Sequence, residues 1–402
     1  MKSIAVVVPE LLPVPPVQGG AVEHWVHEVT VRMARAGQRL TIFSRPAGSD
    51  SHVESNIEYR GIPWTRSERW FRDLKDRVTW RNPLRYVAKF QNVWSYGRRA
   101  MRELRDFDVV YLHNEPNLLL FLERRAAQKV VLHMHNDHLT SKLFRAMYRR
   151  ALAKVDLILC VSDYIRQQAV AAFPEHASRF KVVLNATDPS VFKPYADAAR
   201  RAVADAVAFE SGTQYLLYVG RLVPIKGVHV LIDAFRVLRQ RNAQVRLIIT
   251  GSSFFEGASR TPYERRLMEL AAPVKDAIVF TGYLPHEKLK YLYSAVDAVV
   301  VPSVWQEPFG LVVLEAMAAG KCVVASAVGG IPEIITDQRN GVLVPSDNPE
   351  RLAAAMSQVL SDSTLRNRIE TAARDTVLSN FTWERLVGEL HVDLGVESGA
   401  MT

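Results

Sequence analysis

Short apolar runs recur along the chain at intervals that leave room for one helix between successive runs. In the first half these are Ile4–Val8, Leu40–Ser44, Val109–His113, Lys129–His135, Leu157–Ser162 and Lys181–Asn185. A second series runs through Tyr215–Val219, Val245–Thr250, Ile278–Thr281, Ala298–Val301, Cys322–Ala325 and Gly341–Val344. Strands covered by helices on both faces have no solvent side to make polar, so they read as continuous apolar stretches. Helical patterns lie between them. Val22, Trp25, Val26, Val29 and Met33 recur at helical spacing over Ala21–Ala36, and Gly37 ends the run. The second half carries helical stretches at Val228–Arg239, Pro262–Ala271, His286–Ser294, Phe309–Ala319 and Pro349–Ser361. The fold class is therefore α/β, with two doubly wound sheets whose ligands collect beyond the carboxyl ends of the strands. Asn185–Pro194 is a linker by composition, which places the domains at residues 1–190 and 191–379.

A length of 402 residues suits two ordinary domains, and 48% hydrophobic with 23% charged residues describes a soluble globular chain. No apolar run approaches the roughly 20 residues needed to span a bilayer. Met1–Glu10 ends in Pro-Glu with no small-residue cleavage site, so it reads as a first strand and not as a signal peptide. Cys160 and Cys322 both sit in strand-like runs without metal-ligand spacing, the pattern of small core residues in a reducing, cytoplasmic setting.

The charge is unevenly spread. Residues 60–105 hold thirteen Arg and Lys against four Asp and Glu, an excess equal to the net +9 of the whole chain. The same segment carries Trp64, Trp70, Phe71, Trp80 and Trp94. Basic residues interleaved with tryptophan suit an anionic membrane surface at the inner face of the membrane, or a polyanionic acceptor. A solvated, irregular insertion whose aromatics pack on the core fits the composition equally well. No nucleic-acid motif is present.

Chemistry concentrates in residues 303–330. A strand runs into a Pro-bearing turn, then a short helix that Gly320 stops. Glu307 lies before the helix and Glu315 one turn inside it, seven residues intervening. The amides near Phe309, Gly310 and Leu311 have no partner within the helix and suit an anion. Two acids beside an anion site make sense when they accept hydrogen bonds from hydroxyls, as in a phosphate joined to sugars. Taken alone the pair also fits an ordinary strand–helix–strand unit with two solvated acids. Gly220-Arg-Leu-Val-Pro-Ile-Lys-Gly227 follows the first strand of the second half, and Arg221 and Lys226 are two cations suited to a diphosphate leaving group. Gly19-Gly20 allows close backbone approach ahead of the first helix. No G-x-G-x-x-G occurs, so the dinucleotide fingerprint of a dehydrogenase is missing.

Glu307-x7-Glu315 with Pro-Phe-Gly-Leu between is similar to the signature of retaining nucleotide-sugar glycosyltransferases of family four, which have the GT-B fold. The resemblance implies two Rossmann-like domains facing a cleft, with the last helix, about 380–402, packing back on the first. It implies that Glu307 lies by the donor sugar, Glu315 holds the ribose, and the Phe309, Gly310 and Leu311 amides meet the diphosphate. The Gly220–Gly227 octet resembles the family's diphosphate clamp, and Gly19-Gly20 its loop near the donor phosphate or the acceptor. Gly282-Tyr283 resembles the place where backbone groups read the base. His135, with Ser141-Lys142 after it, matches a strand-end histidine beside the donor sugar. His113-Asn-Glu-Pro resembles a structural turn of the family, and Asp137 is placed on the acceptor side. The loop after Thr250-Gly251 departs from the family's Gly-x-Gly turn and is similar to a branch related to spore-coat and cell-envelope sugar transferases.

His113, His133, His135 and His138 cluster at strand ends, and alternation sends His133 and His135 to one side. Zinc is one reading, but no H-E-x-x-H is present and acids are few. Asp106-Phe-Asp108 precedes a strand, so it suits a turn or helix cap better than a metal motif. The expectation is a metal-independent, cofactor-free hexosyltransferase. It moves a sugar, with a UDP-sugar favoured as donor, to a saccharide, lipopolysaccharide or lipid-linked acceptor. A nucleotide-sugar epimerase on the same fold and a non-catalytic coat component that keeps the donor pocket are the alternatives.

Overall fold

The computed structural model describes residues 2–17, 20–46, 51–77, 84–196, 198–252 and 260–396. The chain divides into two compact units: residues up to Leu184 together with those from Leu386 on, and Asn185–Arg385.

The first unit is built from β1 (Ile4–Val7), α1 (Ala21–Arg35), β2 (Leu40–Ser44), β3 (Ser51–Glu54), β4 (Ile57–Gly61), α2 (Arg66–Arg77), α3 (Leu84–Arg102), β5 (Val109–His113), β6 (Lys129–Met134), α4 (Arg145–Leu152), β7 (Leu157–Cys160), α5 (Asp163–Ala172) and β8 (Phe180–Val182). Its sheet has the order β3-β4-β2-β1-β5-β6-β7-β8, parallel except where β3 pairs antiparallel with β4. Every residue of β1, β2 and β5 is buried, as their apolar runs require. Two features correct the sequence expectation. The β3–β4 hairpin is an addition to it, because Ser51–Glu54 is short, polar and at the sheet edge. The basic segment is no irregular insertion: α2 and α3 fill most of it. Arg45, at the end of β2, anchors it. The Arg45 guanidinium and Glu68 are both buried and 3.2 Å apart, and Arg99 of α3 reaches the same carboxylate at 2.7 Å. The Trp64 ring covers Arg45 at 3.7 Å. Two cations on one buried acid tie α2 and α3 to the sheet.

The second unit comprises α6 (Ala198–Ala202), β9 (Gln214–Val219), α7 (Val228–Arg241), β10 (Val245–Thr250), α8 (Pro262–Ala271), β11 (Ile278–Gly282), α9 (His286–Ala295), β12 (Ala298–Val301), α10 (Leu311–Ala318), β13 (Cys322–Ser326), β14 (Val342–Val344), α11 (Pro349–Ser361) and α12 (Ser363–Asn380). A last helix, α13 (Trp383–Leu394), begins here and ends in the first unit. There Lys181 Nζ meets Asp393 at 2.6 Å and Lys2 Nζ donates to the Gly395 carbonyl at 2.6 Å. The six-stranded sheet is all parallel in the order β11-β10-β9-β12-β13-β14. Helix α7 packs with α8 and α11, and α10 with α9 and α12. Cys160 and Cys322 are buried, free thiols. Among the described residues no helix is long and apolar enough to cross a membrane.

Candidate functional site

The order of the second sheet decides where a ligand belongs. From β9 the chain steps outward through β10 to β11, then returns to the other side of β9 as β12 and steps outward again to β14. The reversal lies between β9 and β12, and the loops leaving their carboxyl ends diverge there to leave a crevice. The loop after β9 carries Lys226 and the loop after β12 carries Glu307. Across the reversal Lys226 Nζ donates to Glu307 Oε1 at 2.6 Å. These residues are 81 positions apart in sequence, and strand adjacency alone joins them.

The surrounding loops hold that pair by backbone geometry. Val304 N donates to the Ile225 carbonyl at 3.0 Å, which stitches the two loops together. Gly227 caps α7 in the left-handed region at φ +69°, and a Cβ there would overlap the Pro302 carbonyl oxygen. Only glycine fits that approach. On the other side Gly330 N donates to the Glu307 carbonyl at 2.8 Å and Gly329 N to Gln306 Oε1 at 2.7 Å. Ser303, almost fully buried, donates from Oγ to Glu307 Oε1 at 2.5 Å. Helix α10 starts just beyond, and its first bonds to the Gly310 carbonyl come from Val313 and Leu314. The amides of Gly310 and Leu311 precede those bonds and are placed to meet an anion. Phe309 turns its side chain inward against Phe381, with ring centroids 6.1 Å apart, so only its backbone is available to a ligand.

Glu315 lies one turn into α10. Tyr293 on α9 donates its hydroxyl to Glu315 Oε2 at 2.7 Å, and His286 Nε2 stands 3.5 Å from Oε1. Burial and the Glu315 charge push the Tyr293 phenol well up, so it remains a donor at neutral pH. Gly282 and Tyr283, exposed at the end of β11, open the loop that leads to His286. Arg221 is also exposed beside the end of β9, and its carbonyl accepts from the buried Tyr218 hydroxyl at 2.9 Å. Arg221, Lys226, Gly282, Tyr283, Glu307, Phe309, Gly310 and Leu311 therefore occupy loops or a helix start on one edge of one sheet, with Glu315 just behind. Sequence reasoning missed Ser303, Tyr293, His286 and the Gly329-Gly330 support. Ser303 and the glycine pair lie within the 303–330 stretch where the chemistry concentrates, so only their contacts were invisible.

In the first unit the corresponding reversal falls between β1 and β5. Gly20 precedes α1 after β1, while His113 ends β5 and His135 follows β6. His113 Nδ1 and His135 Nε2 are 3.0 Å apart and share one hydrogen bond, and Tyr111 pairs with His133 Nδ1 at 2.6 Å. Trp25 sets its ring edge-on or tilted against all three imidazoles, at 4.8 to 5.4 Å. Burial holds the trio neutral. His113 and His133 are pushed well below the ordinary histidine range and His135 to about 3. The three offer nitrogens within 4.8 Å of one another, a spacing open to a metal ion. Their planes, however, lie only 18° to 29° apart. In-plane lone pairs on near-parallel rings do not converge on one point, so the set is a poor fit to tetrahedral coordination. Asn114, in the left-handed region at φ +59°, extends the ladder by accepting from His135 N at 2.7 Å through its side chain. Asp137 is partly buried, and its carbonyl accepts from Thr140 N at 2.9 Å. Gly19 lies outside the described residues. Asp108 is at the opposite end of β5 and binds Ser3 N at 2.8 Å, a structural tie.

Comparison with known proteins bears on what this edge is for. The profile described as Glycosyl transferases group 1 matches residues 200–376, and that described as Glycosyltransferase Family 4 matches residues 19–191. The protein YtcC of Bacillus subtilis (strain 168) is 30% identical over 97% of this chain and 91% of its own length. The chain belongs to glycosyltransferase family four. This transferase is also 29% identical to spore coat protein SA of the same organism, over 96% of this chain and 98% of that one. It is 25% identical to the lipopolysaccharide 1,2-N-acetylglucosaminetransferase of Salmonella typhimurium, over 96% of each chain. Among solved structures, sucrose-phosphate synthase from Thermosynechococcus elongatus superimposes with a TM-score of 0.75 at 23% identity, covering 98% of this chain and 99% of that one. Anabaena HepE in complex with UDP and glucose does so with a TM-score of 0.73 at 20% identity, covering 97% and 99%. The transferase therefore has the GT-B fold of two Rossmann-like domains.

Proposed function

We propose that this glycosyltransferase moves a hexose from a UDP-sugar to a saccharide or lipid-linked acceptor of the cell envelope, with retention at the anomeric carbon and without a metal ion. One observation carries the reading: Lys226 and Glu307 meet across the strand-order reversal of the second sheet, directly ahead of the α10 amides. A cation and exposed amides suit a diphosphate, and a carboxylate at the same point suits the hydroxyls of the sugar it carries. The UDP bound by HepE and the lipopolysaccharide substrate in the name of the Salmonella relative support the donor and acceptor classes.

In the proposed step the bond from C1 to the diphosphate oxygen breaks and its electron pair stays on that oxygen. The acceptor hydroxyl oxygen bonds to C1 on the same face, and its proton passes to the departing phosphate. Arg221, Lys226 and the Phe309, Gly310 and Leu311 amides carry the charge that develops on the leaving group. Glu307 orients the sugar, Glu315 takes the ribose hydroxyls, and Gly282 and Tyr283 face the base. On the family resemblance His135 and Gly20 are assigned to the donor and Gly19 to the acceptor; Asp137, just past the same strand end as His135, is assigned to the acceptor side. Lys226→Ala is expected to slow UDP release by about 10²- to 10³-fold, with a cooperative unfolding transition retained at a lower temperature because Glu307 loses its cation. Near-normal turnover would remove the diphosphate assignment.

Membrane association at the cytoplasmic face is proposed for α2. Trp70 is 60% exposed between Arg69 and Arg72, also exposed. Vesicles rich in phosphatidylserine are expected to sediment the protein, and Trp70→Ser with Arg69→Glu and Arg72→Glu to release it. Equal sedimentation of both proteins would reject this surface.

A further inference from the structure

Glu307 is fixed through one of its two carboxylate oxygens. Oε1 accepts from Lys226 Nζ at 2.6 Å and from Ser303 Oγ at 2.5 Å. Oε2 accepts no hydrogen bond among the described residues and is not sealed from solvent. The seat beneath is equally determined. Ser303 is 1% exposed, and its own carbonyl accepts from Ser346 Oγ at 3.0 Å. The Glu307 carbonyl is held by Gly330 N.

We propose that Ser303 is a positioning residue for the transfer: by occupying Oε1 it aims Glu307 Oε2 at a hydroxyl of the donor sugar and keeps Lys226 from being captured by both oxygens. An ammonium has three donors and a carboxylate about four acceptor positions. With Ser303 on Oε1, one Lys226 proton satisfies the ion pair and two remain for the diphosphate. Without the serine hydroxyl the carboxylate rotates toward the lysine and engages a second proton. The sugar then loses its acceptor and the diphosphate loses a donor. Ser303 itself is buried and acts through Glu307. The inference rests on the donor-site reading above.

The test measures UDP release from UDP-glucose and UDP-N-acetylglucosamine, then from single-deoxy analogues of whichever turns over. Ser303→Ala is expected to lower kcat/KM for the donor about ten- to a hundredfold, the worth of a hydrogen bond to a charged group. It is also expected to lose most of the wild-type discrimination against one deoxy donor, which a merely structural role for the hydroxyl would leave intact. Ser303→Thr keeps the hydroxyl and is expected to restore both readouts, and UDP-induced thermal stabilisation reports that each variant is folded. Discrimination in Ser303→Ala equal to wild type overturns the proposal. Glu307→Gln in the same assay separates the two levels. If it keeps full turnover, the donor-site reading itself fails; if it loses turnover while Ser303→Ala does not, only the role of Ser303 fails.

Discussion

Replacing Gly227 by alanine tests whether backbone geometry holds the Lys226–Glu307 contact. Gly227 sits at φ +69°, where an L-residue pays about 1–2 kcal/mol. A Cβ there would also lie 2.9 Å from the Pro302 carbonyl carbon and 3.2 Å from Val304 Cγ1, and would overlap the carbonyl oxygen. Restoring ordinary separations requires the chain after β12 to retreat by roughly 1 Å. That chain carries Ser303 and Glu307, and a displacement of about 1 Å costs on the order of 10²-fold in rate. Gly212 is the control: its φ is +72°, yet a methyl added there meets nothing within 4 Å. Gly212→Ala therefore bears the backbone strain alone, lowering Tm by about 2–8 °C for a unit of this size, with turnover within twofold of wild type. Gly227→Ala is expected to lose at least as much in Tm and about a hundredfold in UDP release. Differential scanning calorimetry and initial rates measure both. A Gly227→Ala enzyme as fast as Gly212→Ala would refute the argument that this close approach sets the site.

Two further outcomes follow from buried charge. Glu68→Ala strips the shared acid from Arg45 and Arg99 and is expected to cost about 3–5 kcal/mol by urea unfolding, against no change if the triad were slack. Burial raises the Glu68 pKa, but the Thr65 amide and the Arg45 charge outweigh it, so the folded value is lowered. Its contribution is thus present above the unfolded value near 4.3 and disappears as pH falls through the lower folded one; Glu68→Gln should flatten that acid limb. The histidine trio acts at milder pH. With folded values depressed by burial, stability is full above about pH 6.5 and falls below it by up to about 1.4 kcal/mol per pH unit for each ring. Urea midpoints from pH 7 to 5 should show this slope, and His133→Phe should remove its share; a flat profile contradicts the burial of neutral imidazoles.

How far the sequence could be read depended on the kind of signal each element left. β1, β2, β5 and the second-unit strands announced themselves as apolar runs because helices cover both faces. The β3–β4 hairpin left no such trace, since Ser51–Glu54 is a short, mostly polar edge strand and β4 alternates buried with half-buried residues. Helix α12 is faint for a related reason: Ile369, Ala373 and Val377 are its buried positions, a narrow stripe within an otherwise polar sequence. At the site, residue types and local spacing exposed Lys226, Glu307 and Glu315, each inside its own loop or helix. Their partners were hidden because contacts such as Lys226 with Glu307, or Glu315 with Tyr293, depend on which strands and helices become neighbours. Asn114 is a further case, where a left-handed residue completes a ladder that no local pattern specifies.

The central claim is that the carboxyl edge of the second sheet, at the β9–β12 reversal, holds the nucleotide diphosphate. A crystal structure of the protein with UDP tests it most directly. The diphosphate is expected within hydrogen-bonding distance of Lys226 Nζ and the Gly310 and Leu311 amides, with the ribose hydroxyls on Glu315. UDP bound away from that edge, with Lys226 still closed on Glu307 and no contact to either acid, would contradict it.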